Sequence, residues 1–257
     1  MVTYLFDSTF PGLLTAIFES YAARQKEISL IPAAGYQPGL LDTAVTIFSD
    51  PEKARRVWDG LGKRIGASGR HEFYTAFLSE SCEAWQHMFG YARYIFDYDG
   101  ERAADYGNRH VLAISVYAKK VGRERHRMKA FVRFKRSADG LYAAVVEPDF
   151  NVLPLIAGHF RDRYADQRWL IFDKRRRYGI YYDLTSVQEV KIEPAPAGAF
   201  QVAAPAPMLA DENDALYTSL WQEYFKSTNI KERANLKLHI QHVPRRYWKH
   251  LPEKDPG

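Results

Sequence analysis

Cysteine is almost absent. Cys82 is the only one among 257 residues, which excludes an intrachain disulfide framework, a Cys₄ zinc site and an iron–sulfur cluster held by this chain's own thiolates. A single thiol on an apolar helical pattern fits a reducing, cytoplasmic setting. Long apolar runs are missing too: none approaches the ~18 residues a membrane span needs. The opening MVTYLFDSTFPG has no basic stretch ahead of an apolar one, so neither a signal peptide nor a membrane partner is expected. Nor is there a GxGxxG after a strand, a GxxxxGK[ST], an HExxH, a GxSxG or a CxxxCxxC, which removes the usual nucleotide, protease, hydrolase and radical-SAM signatures. A zinc deaminase needs cysteine ligands that this chain does not have. No internal repeat or heptad array is present.

What is abundant is tyrosine, 17 residues in a chain that is 14% aromatic, and positive charge, a formal net +5. The charge is uneven. Residues 1–100 hold 9 Lys/Arg against 12 Asp/Glu, while the remainder holds 27 against 19. A basic C-terminal part behind a neutral-to-acidic N-terminal part points to a polyanion or an acidic partner for the former.

Periodicity divides the chain into a mainly helical region (1–100), a basic α+β core (101–193), an Ala/Pro-rich linker (194–210) and C-terminal helices (211–257) packing on the core. VTYLF and DTAVTIF read as strands. Thr9 with Pro11, and Asp50 with Pro51, mark helix starts, and residues 71–79, 83–96 and 101–122 continue as helices. From Met128 the pattern alternates, so KAFVRFKRSADGLYAAVVEP reads as strand, turn, strand, with Asp139-Gly140 as the turn. NVLPLIAGHFRDRY is a helix capped by Asn151 with Pro154 in its first turn, and RWLIFD, YGIYYDL and VQEVKIE supply three more strands. The β-β-α-β-β-β order predicts an α+β fold with a central antiparallel sheet.

Four basic–aromatic clusters carry the functional signal: RERHRMKAFVRFKR (123–136), HFRDR (159–163), WLIFDKRRRYGIYYD (169–183) and PRRYWKH (244–250). Arg and Lys neutralise phosphates and release counterions, and aromatic rings stack on unpaired bases at ~1–3 kcal/mol each. Arg127, Arg133, Arg163, Lys174, Arg175, Arg177 and Arg245 are therefore the candidate phosphate contacts. Tyr181, Tyr182, Tyr247 and Trp248 are the candidate stacking rings. Acid–base candidates are His126 and His159 with Glu124, Asp149, Asp173 or Asp183 as carboxylate partners. His239 and His242 have a metal-capable spacing but no third ligand nearby, so no metal and no cofactor is expected. Free amides at the 151–154 helix start could also receive a phosphate.

YLFDSTFPGLLTAIFESY, ERHRMKAFVRF, EPDFNVLPLIAGHFRDRY, WLIFDKRRRYGIYYD, LWQEYFKSTNIKERAN and VPRRYWKHLPE occur in this order along nearly the whole chain. In them the chain resembles a bacterial DNA repair or DNA metabolism family, a domain of unknown function that other proteins carry fused to a uracil-DNA glycosylase. The resemblance implies a DNA partner and a radical-SAM DNA modification or repair protein encoded alongside, which would hold the iron–sulfur cluster. Glycosylase activity is then expected from another chain. The matched positions are Glu124, His126, Arg127, Arg133, His159, Arg163, Asp173, Lys174, Arg175, Gly179, Tyr181, Tyr182, Arg245, Tyr247 and Trp248. The resemblance assigns none of them a catalytic role. The reading that follows is a DNA-binding accessory in repair or base modification, on single-stranded or damaged DNA. Its rivals are a cryptic glycosylase or nuclease using His126, His159 and a carboxylate, and a protein-interaction scaffold without DNA contact.

Overall fold

The computed structural model describes residues 2–37, 43–98, 102–136, 140–191 and 243–251. The chain forms two compact units, Met1–Arg123 and Glu124–Gly257. The linker expected at 194–210 lies outside the described residues, as do most of the C-terminal helices expected at 211–257, with His239 and His242 among them, and Asp139. No helix among the described residues is long and apolar enough to cross a membrane.

The first unit begins with β1 (Val2–Phe6), α1 (Phe10–Ala22), β2 (Ile28–Pro32) and β3 (Ala44–Thr46), followed by α2 (Pro51–Phe77) and α3 (Cys82–Asp97). The strands form a parallel sheet in the order β2-β1-β3. Thr9 caps α1, its hydroxyl accepting from Gly12 N at 3.0 Å. Asp50 caps α2 by accepting from the amides of Glu52 and Lys53, so both expected helix starts are present. The expected 71–79 helix lies in the second of two helical stretches of α2, which a break at Gly66 separates; its φ of +67° is one that only glycine adopts cheaply. Half-buried Phe10 meets Trp58, Tyr74 and Phe77 edge-on, each at a ring-centroid distance of 5.1 Å. Strand β2 was not expected from the sequence. Its outer edge is closed by the Gln86 side chain, which accepts from Leu30 N (2.8 Å) and donates to Ile28 O (2.9 Å) in place of another strand.

Helix α4 (Arg109–Phe131) contains the boundary between the units. It corrects the expected strand at 128–136. Val121, Glu124 and Met128 are all buried at helical spacing, so the 3.6-residue stripe runs on, and the local alternation of Phe131 to Phe134 is subordinate to it. Only Lys135–Arg136 (β4) extend.

The second unit's sheet adds β5 (Tyr142–Val146), β6 (Trp169–Asp173), β7 (Tyr178–Tyr182) and β8 (Val187–Lys191), in the order β4-β5-β6-β7-β8. The α+β class and the β-β-α-β-β-β order stand, but the sheet is not wholly antiparallel: β5 and β6 pair in parallel. The cause is α5 (Leu153–Arg163), which crosses between them and returns the chain to the same end of the sheet. Pro154 lies in the first turn of α5, as expected, but Asn151 does not cap it. Its side-chain oxygen accepts the Tyr178 hydroxyl instead, tying the helix start to β7. Ile156 and Phe160 on α5 and Trp169, Ile171, Ile180 and Tyr182 on the sheet form the buried core, each large side chain contributing about 1.5–3 kcal/mol of burial.

A candidate cationic site

The β6–β7 hairpin pairs Trp169 with Tyr182 through Asp173 with Tyr178, leaving Lys174–Arg177 at its tip. A tip of four cations should splay all four into solvent. One is drawn inward instead, because Asp173 is fully buried and organises the turn. Its carboxylate accepts from the amides of Arg175 (2.9 Å) and Arg176 (3.1 Å) and from Arg176 Nη1 (2.9 Å). Arg177 N closes the turn onto Asp173 O at 2.8 Å, with Arg177 at φ +57°. Arg176 is turned inward, where its guanidinium also donates to Pro148 O (3.0 Å) and Asp149 O (3.1 Å). Lys174, Arg175 and Arg177 are left exposed.

A second buried carboxylate stands beside the same 147–151 loop. Glu124, 1% exposed, accepts from Asp149 N at 2.9 Å and from the Tyr247 hydroxyl. The guanidinium groups of Arg127 and Arg246 each lie 3.5 Å from it. Glu124 thereby joins α4, the loop and the 3₁₀ helix Arg245–His250. Burial, then the Glu124 carboxylate, holds the Tyr247 phenol far above its usual range. Arg246 reaches on to Asp149 Oδ2 at 2.6 Å and lies over the Tyr247 ring, 4.5 Å from its centroid.

Between these anchors is an open depression lined by Glu147, Asp149, Lys174, Arg175 and Arg246. Lys174 Nζ is 3.8 Å from Glu147, and Arg175 Nη1 donates to Asp149 O at 3.4 Å. Three cations converge there against two carboxylates that are not themselves fully buried. Guanidinium forks fixed from behind suit a phosphate, since little side-chain freedom remains to be lost on binding.

The other nominated residues divide clearly. Arg127 joins the site through Glu124. Tyr247 joins it as a buried support, 2% exposed. Tyr182 is also buried, stacked on Trp169 at 5.5 Å with its hydroxyl donating to Leu184 O at 2.9 Å. The ring faces that remain reachable are those of half-buried Tyr181 and Trp248; Trp248 donates to Val243 O and has the exposed Arg245 5.8 Å from its ring. Arg133 donates to Ala130 O and Val132 O, satisfying carbonyls at the end of α4. Arg163 sits over Tyr164 at the far end of α5, about 16 Å along the helix from the 147–151 loop. His159 is near it. Its imidazole is pushed below the ordinary range by burial, then by Lys129 and Arg163, against Asp162. His126 is exposed, two residues from Glu124 and so on another face of α4.

The Glu124 and Asp173 carboxylates accept from arginines, a tyrosine and backbone amides, and from no histidine among the described residues. Asp183 is taken up by its own turn, the hydroxyl and amides of Thr185 and Ser186 holding its carboxyl well below the usual range. Among the described residues no group of three or more His, Cys, Asp or Glu is placed to hold a metal. Arg176 and Arg246 were missed in the sequence. Nothing distinguishes Arg176 from its three cationic neighbours except that Asp173 lies three positions before it, a spacing at which one carboxylate takes both its amide and its guanidinium.

Residues 82–253 match the family described as a domain of unknown function, DUF4130. The match covers well over half of the chain, which belongs to that family. Neither a curated protein nor a solved structure matches it.

Proposed function

We propose that this DUF4130 member is a DNA-binding accessory in repair or base modification that grips the phosphate backbone of single-stranded or damaged DNA at the Lys174–Arg175–Arg246 depression. The observation that carries this reading is that the two buried carboxylates, Asp173 and Glu124, each fix an arginine or an arginine-bearing turn around one loop. Such an arrangement uses buried charge to position exposed charge, which a merely solubilising surface does not require. Arg177 beside the tip, and Arg245 with Trp248 on the 3₁₀ helix, extend the track with a cation and a ring face. The excess of cations beyond residue 100 supports the same ligand class.

The resemblance noted in the sequence adds the finer part of the proposal, a radical-SAM partner that performs the chemistry. One cysteine cannot hold a cluster here, so the partner would supply it. Fluorescence-anisotropy titration of labelled single-stranded and duplex DNA at low salt tests the binding step. Wild type should bind, with Lys174→Ala/Arg175→Ala markedly weaker. Binding that this variant leaves unchanged, or no binding at all, would refute the assignment.

A further inference from the structure

The first unit contains a second polar constellation that the DNA reading does not use. His87 on α3 and His110 at the start of α4 face each other, Nδ1 to Nδ1 at 3.1 Å, with ring centroids 5.1 Å apart. Both rings are half-buried. The His110 ring rests on α3 at Gly90, where any Cβ would overlap it; only glycine leaves the surface on which it lies. Asn108 fixes the backbone beneath it, its side-chain oxygen accepting from His110 N at 2.8 Å and Val111 N at 3.4 Å. The two imidazoles are thus held in place by a cap and a close backbone approach, not met by chance at a flexible surface.

We propose that His87 and His110 form a two-imidazole site for a divalent first-row transition-metal ion of the zinc class. Two nitrogens each ~2.0–2.1 Å from one ion at a near-tetrahedral angle stand about 3.1–3.4 Å apart, so the observed separation needs small ring rotations and no backbone change. The tautomers accommodate the exchange. Arg109 Nε donates to His110 Nε2 at 3.4 Å, which places the His110 proton on Nδ1, donated to His87 Nδ1. The Nε2–H of His87 then faces the Glu83 carboxylate, 4.0 Å away, the outer partner that a ligating histidine ordinarily has. On ligation through Nδ1, the proton of His110 moves to Nε2 and the exposed Arg109 side chain swings off. Charge and proton count on the two rings are unchanged. With no third His, Cys, Asp or Glu grouped there among the described residues, the other coordination positions go to water or an incoming donor such as a phosphate oxygen. Two protein donors are one fewer than an open catalytic zinc site ordinarily has and two fewer than a closed structural one, so the ion is held exchangeably.

The test is a titration of the full chain with Co²⁺ as a spectroscopic stand-in for Zn²⁺, read by visible absorption and by paramagnetic broadening of histidine ring signals in NMR. Broadening should centre on His87 and His110, and Zn²⁺ should reverse it by competition. His110→Ala should weaken binding by more than about tenfold, since losing even an outer partner of a metal site costs about 10–100-fold. His87→Asn serves as the second variant, and circular dichroism checks that each variant is folded. Binding should also fade in acid, where protons compete with the ion for the ring nitrogens. Broadening confined to other histidines, or equal affinity in folded His110→Ala and His87→Asn, overturns the proposal.

Discussion

Replacing Asp173 by Asn keeps the shape of the hairpin tip and removes the charge that organises it. An asparagine oxygen can still accept from the amides of Arg175 and Arg176, but its amide group would stand donor-to-donor against the Arg176 guanidinium, now 2.9 Å from the carboxylate. Breaking a buried ion pair by removing one partner costs about 3–5 kcal/mol. Arg176 retains Pro148 O and Asp149 O as acceptors and its side chain is 10% exposed, so the low end applies, about 3 kcal/mol. With a urea m value of ~2 kcal/mol/M, the unfolding midpoint should fall by roughly 1.5 M. Lys174→Ala is the control. Its ion pair with Glu147 is solvent-exposed on the lysine side, and its removal should shift stability by no more than ~0.5 kcal/mol. Urea denaturation followed by circular dichroism and tryptophan fluorescence measures both. An Asp173→Asn midpoint within ~0.3 M of wild type, or a Lys174→Ala loss of equal size, would falsify the claim that Asp173 organises the tip.

Tyr247→Phe removes the hydroxyl from buried Glu124 while leaving Asp149 N and two guanidinium groups in place; a loss of about 1.5–3 kcal/mol in the same urea assay is expected for a hydrogen bond to a charged group. Gly179→Ala puts a Cβ 2.8 Å from the Ile171 carbonyl on the neighbouring strand. Backbone there cannot step aside, so about 1–3 kcal/mol should be lost, and a neutral result would mean that the strands separate more easily than this pairing implies. His159 should titrate below the usual ~6.5 in an NMR pH series, and Lys129→Ala should raise it. Because the folded-state pKa is depressed, the unfolded chain binds the proton first. Stability from this group is therefore full above pH ~6.5 and declines as the pH falls from there towards the folded value. An unshifted His159, or one indifferent to Lys129, would contradict the environment described.

Much of the fold was legible because its signals are local. Thr9–Pro11 and Asp50–Pro51 announce helix starts by chemistry that acts within four residues, and the 169–183 hairpin shows as two β-prone runs around a polar turn. What was not legible depended on tertiary partners. The helix through Met128 continues because Glu124 and Met128 find burial, which no propensity at 128–134 reports. The parallel pairing of β5 with β6 is set by where α5 returns the chain. Asn151 has the side chain of a helix cap, yet Tyr178 claims it. At the candidate site, counting charge picked out the 174–177 hairpin tip but could not tell the inward Arg176 from the outward Arg175, nor anticipate Arg246, whose partners Glu124 and Asp149 are about a hundred residues away or more in sequence.

The most direct test of the central claim is the salt dependence of single-stranded DNA binding for wild type and for Lys174→Ala/Arg175→Ala/Arg246→Ala. If the three cations neutralise phosphates, the plot of log K against log salt should be steep for wild type. In the triple variant it should be shallower by up to about 2.1, at ~0.7 for each phosphate no longer neutralised on a single strand. A wild-type slope near zero, or one that the triple variant leaves unchanged, would contradict the account.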